Sequence, residues 1–162
     1  MATVAELEAR IQALEDIEAI KRLKYKYLRC LDTKHWDEMA ETFAVDAVTS
    51  YSDGELSFQG RDAIMKFLRE SALGTPTGMI GVHHVHHPEI EMTGPTTAKA
   101  TWALYNYLLH PGEHSGLRLC AFYHDEYVKT GGQWLIKSTG YRRVFEEVWD
   151  RKDSPSLKLV AG

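Results

Sequence analysis

The chain of 162 residues has only two cysteines, Cys30 and Cys120, and they form no CxxC pair. Both sit in apolar contexts, so a disulfide scaffold is excluded and buried thiols in a reducing cytoplasm are expected. No stretch approaches the roughly 18 consecutive apolar residues of a membrane span. The opening segment MATVAELEARIQALED is acidic, with neither a basic start nor an apolar centre. No secretory signal is expected there, and the placement it implies is cytoplasmic. Positive charge is also in short supply: the formal net charge is -4. A nucleic-acid binder needs a cationic face to displace counterions from phosphates, so that class is disfavoured. No Gly or Pro occurs before Gly54, which removes the strongest helix breakers from the first third. GxSxG, a phosphate-cradling glycine loop, HExxH and a dinucleotide fingerprint are all absent. A serine nucleophile and a nucleotide cofactor are thereby disfavoured, and no cofactor or metal is expected.

What is present is ordinary for a globular chain, with 44% hydrophobic and 26% charged residues. The length fits one domain over 1–162. Eight His, eight Tyr and four Trp are an unusual load for a small acidic domain. Val4, Leu7, Ile11, Leu14, Ile17 and Ile20 recur every three or four residues, and Leu23, Tyr27, Leu28 and Leu31 continue the stripe. That period predicts helix over 3–31, as one long rod or two joined near Leu14–Asp16. Asp32 to His35 reads as a break, Trp36–Phe43 as a second helix and Ala47–Tyr51 as a short strand. After the turn at Ser52-Asp53-Gly54, a third helix begins at Arg61 with Ala63, Ile64, Phe67 and Leu68 facing the core.

Past the loop at Gly74–Gly81 the period becomes two. Strands are predicted at Val82–Thr93, Ala98–Leu109, Leu117–Thr130 and Trp134–Phe145. Pro88 cannot donate to a ladder and predicts a local break at His87-Pro88. The charged tail from about Glu147, with Pro155, reads as a surface segment. Helices followed by an antiparallel meander predict an α+β domain with the helices covering one sheet face.

The run LEDIEAIKRLKYKYLRCLDTKHWDEMAETFAVDAV at 14–48 resembles the opening of SnoaL-like proteins of the nuclear transport factor 2 superfamily. FQGRDAIMKFL at 58–68, VHHVHHPEIEM at 82–92, the strand with Ala98 and Ala100, and YHDEYVKTGGQW at 123–134 follow in order. The resemblance covers roughly 7–145 and is strongest to the subgroup of scytalone dehydratase and bile acid 7α-dehydratase. It implies an NTF2-like cone: a curved antiparallel sheet with N-terminal helices on its concave face. It also implies cofactor-free catalysis by a His–Asp pair helped by tyrosines. The positions that match are Asp32 with Tyr27 before it, His83 ahead of His87-Pro88, and Tyr51 on the short strand. An Arg frequent in the last strand of the family falls at Thr139 here, so Arg142 or Arg143 would have to substitute, and Arg142 is taken as the substrate contact.

Residue chemistry agrees with these roles and also offers plainer ones. Imidazole titrates near neutrality, and a carboxylate partner fixes its tautomer and stabilises the imidazolium. The plain reading makes Asp32 a helix cap and His83 a core histidine. Tyr27 and Tyr51 could donate to a substrate oxygen or could be core tyrosines satisfied locally. If Thr93–Thr96 sets a two-residue hairpin, His83 pairs with Asn106 and His87 with Trp102. That builds a wall of His83, Asn106, His87 and Trp102 suited to a flat ligand. A one-residue slip would place Tyr105 and Tyr107 inside instead. His84 and His86 with Glu89 resemble a His-x-His metal set, but the helical first third fits an all-β metal barrel badly, and a polar outer face is the plainer reading. Asp125 reads as structural, holding a helix or an arginine.

The leading functional reading is a cofactor-independent lyase acting on a small hydroxylated aromatic or polycyclic compound, by loss of water or by carbon–carbon cleavage releasing a small aldehyde. A double-bond isomerase and a non-catalytic ligand-binding or assembly module are the alternatives. The partner expected is a small molecule, with no nucleic acid and no membrane. Self-association is also expected, a trimer before a dimer, with the N-terminal helix at or near the contact.

Overall fold

The computed structural model describes residues 1–71, 73–75, 78–153 and 158–160. Helix α1 is one unbroken rod, Val4–Asp32. It starts at a capping box: the Thr3 hydroxyl accepts from the Glu6 amide at 3.2 Å, and the Glu6 carboxylate accepts from the Thr3 amide at 2.8 Å. Residues 1–12 stay exposed, and from Asp16 onward one face is buried through Ile20, Lys24, Tyr27, Leu28 and Leu31. Helix α2, Trp36–Ala40, is shorter than expected because Phe43 already opens strand β1, Phe43–Tyr51. Helix α3, Arg61–Glu70, buries Ile64, Met65 and Leu68, while Ala63 faces out. No helix among the described residues is long and apolar enough to cross a membrane.

The remaining strands are β2 (Leu56–Gln59), β3 (Ile80–Gly94), β4 (Thr97–His110), β5 (Ser115–Thr130) and β6 (Gln133–Asp150). They form one six-stranded sheet in the order β2-β1-β6-β5-β4-β3. The sheet is mixed, not wholly antiparallel, because β1 runs parallel to β6. Phe43 enters beside Ile136, at the end of the sheet where β6 begins, so the two strands share a direction. Gly140 permits the approach: a Cβ there would lie 2.3 Å from the Ser50 carbonyl oxygen. Strand β6 runs past Glu147, where a surface tail was expected, because β5 supplies backbone partners as far as the Ser115–Asp150 pair. Pro155 lies outside the described residues, as do Pro76 and Thr77 of the expected loop.

Ala98, Ala100, Trp102, Leu104, Asn106 and Leu108 of β4 are buried on the concave face, beside Leu119, Ala121, Tyr123, Asp125 and Tyr127 of β5. The two alanines leave room for α1 to close on the sheet. Deep in this core the Lys24 ammonium meets the Asp125 carboxylate at 2.7 Å, both side chains fully buried. Thr139 and Tyr127 donate to the same carboxylate at 2.6 and 2.7 Å, and Trp102 Nε1 donates to the Tyr127 hydroxyl at 3.1 Å. Asp125 thus holds a helix, through a lysine and not an arginine. Burial draws the Lys24 ammonium below its ordinary range, and Asp125 partly restores it. Near the other end of the buried stretch, Asp16 accepts from Lys129 and from Trp134 Nε1, both at 2.8 Å.

Candidate active site

Asp32 is the last residue of α1. A carboxylate there faces the negative end of the helix dipole, an unfavourable place unless something compensates. The compensation comes from β3. His83 donates its backbone amide to Asp32 Oδ2 at 3.0 Å and its ring Nδ1–H to Oδ1 at 2.6 Å. With Nδ1 committed to an ionised carboxylate, the lone pair resides on Nε2. The His83 side chain is 7% exposed and lines a half-open cavity of about 300 Å³.

His83 pairs with Asn106 across β3 and β4, so the register carries the two side chains to the same concave wall. Asn106 is 3% exposed, lines the cavity, and its Oδ1 is buried with no partner among the described residues. Such an orphaned acceptor costs roughly 1–3 kcal/mol unless a donor arrives. On the helix side, the Tyr27 and Tyr51 hydroxyls lie 3.1 Å apart and both rings line the cavity. Burial pushes both phenols well above their ordinary range, and neighbouring Tyr123 and Tyr27, respectively, add to it. They are therefore neutral hydrogen-bond donors at any working pH. Leu31, Phe67, Leu68, Met79 and Leu119 complete an apolar lining.

Three substrate-contact residues expected from the sequence lie elsewhere. His87 sits in a bulge between the His86–Ala103 and Glu89–Thr101 pairs, with φ at 46°, and points to solvent. The extra residue breaks the alternation that would have put it beside His83. Trp102 is fully buried in the core, bonded to Tyr127, and does not reach the cavity. Arg142 is exposed on the outer face. A second bulge, between the Glu126–Ser138 and Tyr127–Ile136 pairs, shifts β6 by one residue, so Tyr141 and Arg143 turn inward instead.

Sequence reasoning gave no role to Tyr123, Tyr141 or Ser52, all of which line the cavity, and passed over Arg143 in favour of Arg142. Ser52 Oγ and the Tyr141 hydroxyl are 3.1 Å apart. Arg143 is clasped by Asp53, which accepts its amide at 2.8 Å and its Nε–H at 2.6 Å. Ser52 and Asp53 both hold φ values in the left-handed region, 51° and 60°, a conformation non-glycine residues adopt at a cost. The turn that fixes the arginine is therefore strained. His84 and His86 lie on the outer face with rings parallel and 6.1 Å apart.

Residues 12–140 match the family model for the SnoaL-like domain. The chain belongs to the SnoaL-like family. Solved structures agree in fold. A Novosphingobium aromaticivorans protein whose name assigns it to the scytalone dehydratases is 28% identical, with a TM-score of 0.76 over 85% of this chain and 90% of its own. The hexachlorocyclohexane dehydrochlorinase LinA-type3 of Novosphingobium barchaimii is 15% identical, with a TM-score of 0.75 over 86% and 94%. ActVI-ORFA of Streptomyces coelicolor is 16% identical, with a TM-score of 0.65 over 79% and 96%. The SnoaL-like cone is thus the NTF2-like α+β fold in these proteins and in this one.

Proposed function

We propose that this chain is a cofactor-independent lyase that removes water from a small hydroxylated cyclic substrate. One observation carries the reading: a cavity-lining histidine has one ring nitrogen fixed on a carboxylate, as an acid–base catalyst requires and a binding pocket does not. Nε2 of His83 takes a proton from the carbon next to the one bearing the leaving hydroxyl. The C–H electron pair becomes the new double bond, the C–O bond breaks, and the imidazolium returns its proton to the departing hydroxide. Substrate becomes product plus water, and the dyad is restored. Of the paired Tyr27 and Tyr51 hydroxyls, one donates to the other and the other donates to a substrate oxygen where negative charge builds up. The unpartnered Asn106 Oδ1 accepts from a substrate hydroxyl. A cavity of about 300 Å³ is at the small end of ligand sites and suits one or two fused rings better than a larger polycycle.

The dehydratase and dehydrochlorinase names among the structural neighbours support elimination chemistry. Copies of the chain are proposed to associate through the outer sheet face, three being the expected number. Val82, Phe122 and Phe145, exposed by 43%, 44% and 48%, support that contact. The test of function is mass spectrometry of a pooled set of hydroxylated cyclic metabolites incubated with the protein. A product lighter by water supports dehydration, and one lighter by formaldehyde supports the related carbon–carbon cleavage. A product of unchanged mass that requires His83 identifies an isomerase. Ligand depletion with no product and no effect of His83→Ala identifies a binding protein.

A further inference from the structure

The first turns of α1 stand clear of the domain. Val4, Leu7, Ile11 and Leu14 are exposed by 72%, 45%, 56% and 63%. Their spacing of three, four and three is that of a two-heptad seam, with Val4 and Ile11 at the a positions and Leu7 and Leu14 at d. At 3.6 residues per turn this seam is centred roughly 150° around the helix from the face of Ile20, Lys24, Tyr27 and Leu31. The seam therefore points away from the chain's own sheet, and a helix laid on it meets no part of the same cone.

We infer that this seam docks a second copy of the same chain as a short parallel two-stranded coiled coil, separate from the outer sheet face. Three features select that occupant. β-branched residues at a with leucine at d favour two strands in parallel pairing. In that pairing Arg10 at g faces Glu15 at e of the partner helix, whereas an antiparallel pairing would set Arg10 against Arg10; both residues are exposed. The seam ends where it should: the next a and d positions are Glu18 and Lys21, bonded to each other at 2.6 Å. A free helix this short is marginal in water, but here the Thr3–Glu6 box and the continuous rod to Asp32 hold it formed before it meets a partner.

Light scattering on the full chain and on the variant Leu7→Asp/Ile11→Asp, across about 1–100 μM, tests the contact. The mass is expected to halve in the variant, whether the full chain runs as a pair or as a pair of trimers. Both substituted side chains are exposed, so the far-UV spectrum and the melting point of the separated subunits should be retained. An unchanged mass, or a threefold fall, overturns the proposal. Arg10→Glu should weaken association about tenfold, and Arg10→Glu/Glu15→Arg should restore it. A double variant as weak as the single one overturns the parallel register.

Discussion

Replacing Asp32 with Asn removes one charge and changes one hydrogen-bond type while keeping the shape. In the wild type, both carboxylate oxygens accept from His83, the amide at 3.0 Å and the ring at 2.6 Å. Asn offers one acceptor and one donor. If its oxygen stays on the backbone amide, its NH2 faces Nδ1, which must then accept. The imidazole proton moves to Nε2 and occupies the lone pair that should receive the substrate proton. The imidazolium that forms in the transition state also loses its counter-charge. Together these should lower kcat by about two to four orders of magnitude, the usual worth of acid–base catalysis. In free energy that is roughly 2.7–5.4 kcal/mol at 1.36 kcal/mol per tenfold. KM should hardly move, because Asp32 is not part of the cavity lining. Steady-state kinetics on the substrate found by the metabolite screen gives the rate, and nitrogen-15 NMR of the His83 ring reports which nitrogen carries the proton. A variant with near wild-type kcat, or one that loses kcat with Nδ1 still protonated, refutes the dyad.

Three other outcomes follow from the buried polar groups. Tyr27, Tyr51, Tyr123 and Tyr127 have phenols raised well above the ordinary value by burial, so alkaline titration at the phenolate absorbance should leave four of the eight tyrosines silent until the protein unfolds. Their folded values exceed the unfolded one, so their contribution to stability is complete below about pH 10 and is lost as pH rises above it. Burial alone would raise the Asp16 carboxyl, but hydrogen bonds from Lys129 and Trp134 and the Lys129 charge leave it below its ordinary value. Its stabilisation is thus present above about pH 4 and lost as pH falls through the depressed value, and urea titrations should show a smaller acid loss for Asp16→Asn than for wild type. Lys24→Met strands the Asp125 charge in the core and should destabilise by about 3–5 kcal/mol, whereas Lys24→Met/Asp125→Leu should recover only part of it in the same denaturation assay, because the buried Thr139 and Tyr127 hydroxyls then lose their acceptor.

The His83–Asn106 pair agrees with the expectation by compensation. The loop is Pro95-Thr96, closed by the Gly94–Thr97 pair and not by Thr93 with Thr96. Two irregularities, between Met92 and Gly94 and between His86 and Glu89, together restore the expected register at His83. Asp32 was legible only through resemblance, since an acid after a helical stripe reads equally well as a cap. His87 was misplaced because alternation counts residues, and a bulge adds one without changing the polarity pattern. Arg142 was preferred to Arg143 through the resemblance, with no strand register behind the choice, and the bulge at Lys137 is what turns Arg143 inward. Nothing in His86-His87-Pro88 beyond the proline marks the extra residue, and nothing in Ile136-Lys137-Ser138 marks it at all. Strand β2 escaped notice because its alternation, Leu56-Ser57-Phe58-Gln59, lasts only four residues and runs straight into the Gly60 that opens α3. Trp102 faces the concave side as expected, but a face includes both the cavity and the packed floor beside it, and only depth tells them apart.

The parallel pairing of β1 with β6 has a consequence for how the chain is made. Ser50 must find Gly140, roughly ninety residues downstream, before β1 has its inner neighbour. Lys24 likewise has no counter-charge until Asp125 of β5 is in place. On the ribosome the helices and the first hairpin emerge with their apolar faces and a future core lysine uncovered, and they stay so through most of synthesis. The pocket walls come from both ends of the chain, from Tyr27 on α1 and from Tyr141 and Arg143 on β6. Synthesis must therefore pass Arg143 before there is a site to occupy, and a ligand present during translation can reward only a finished chain.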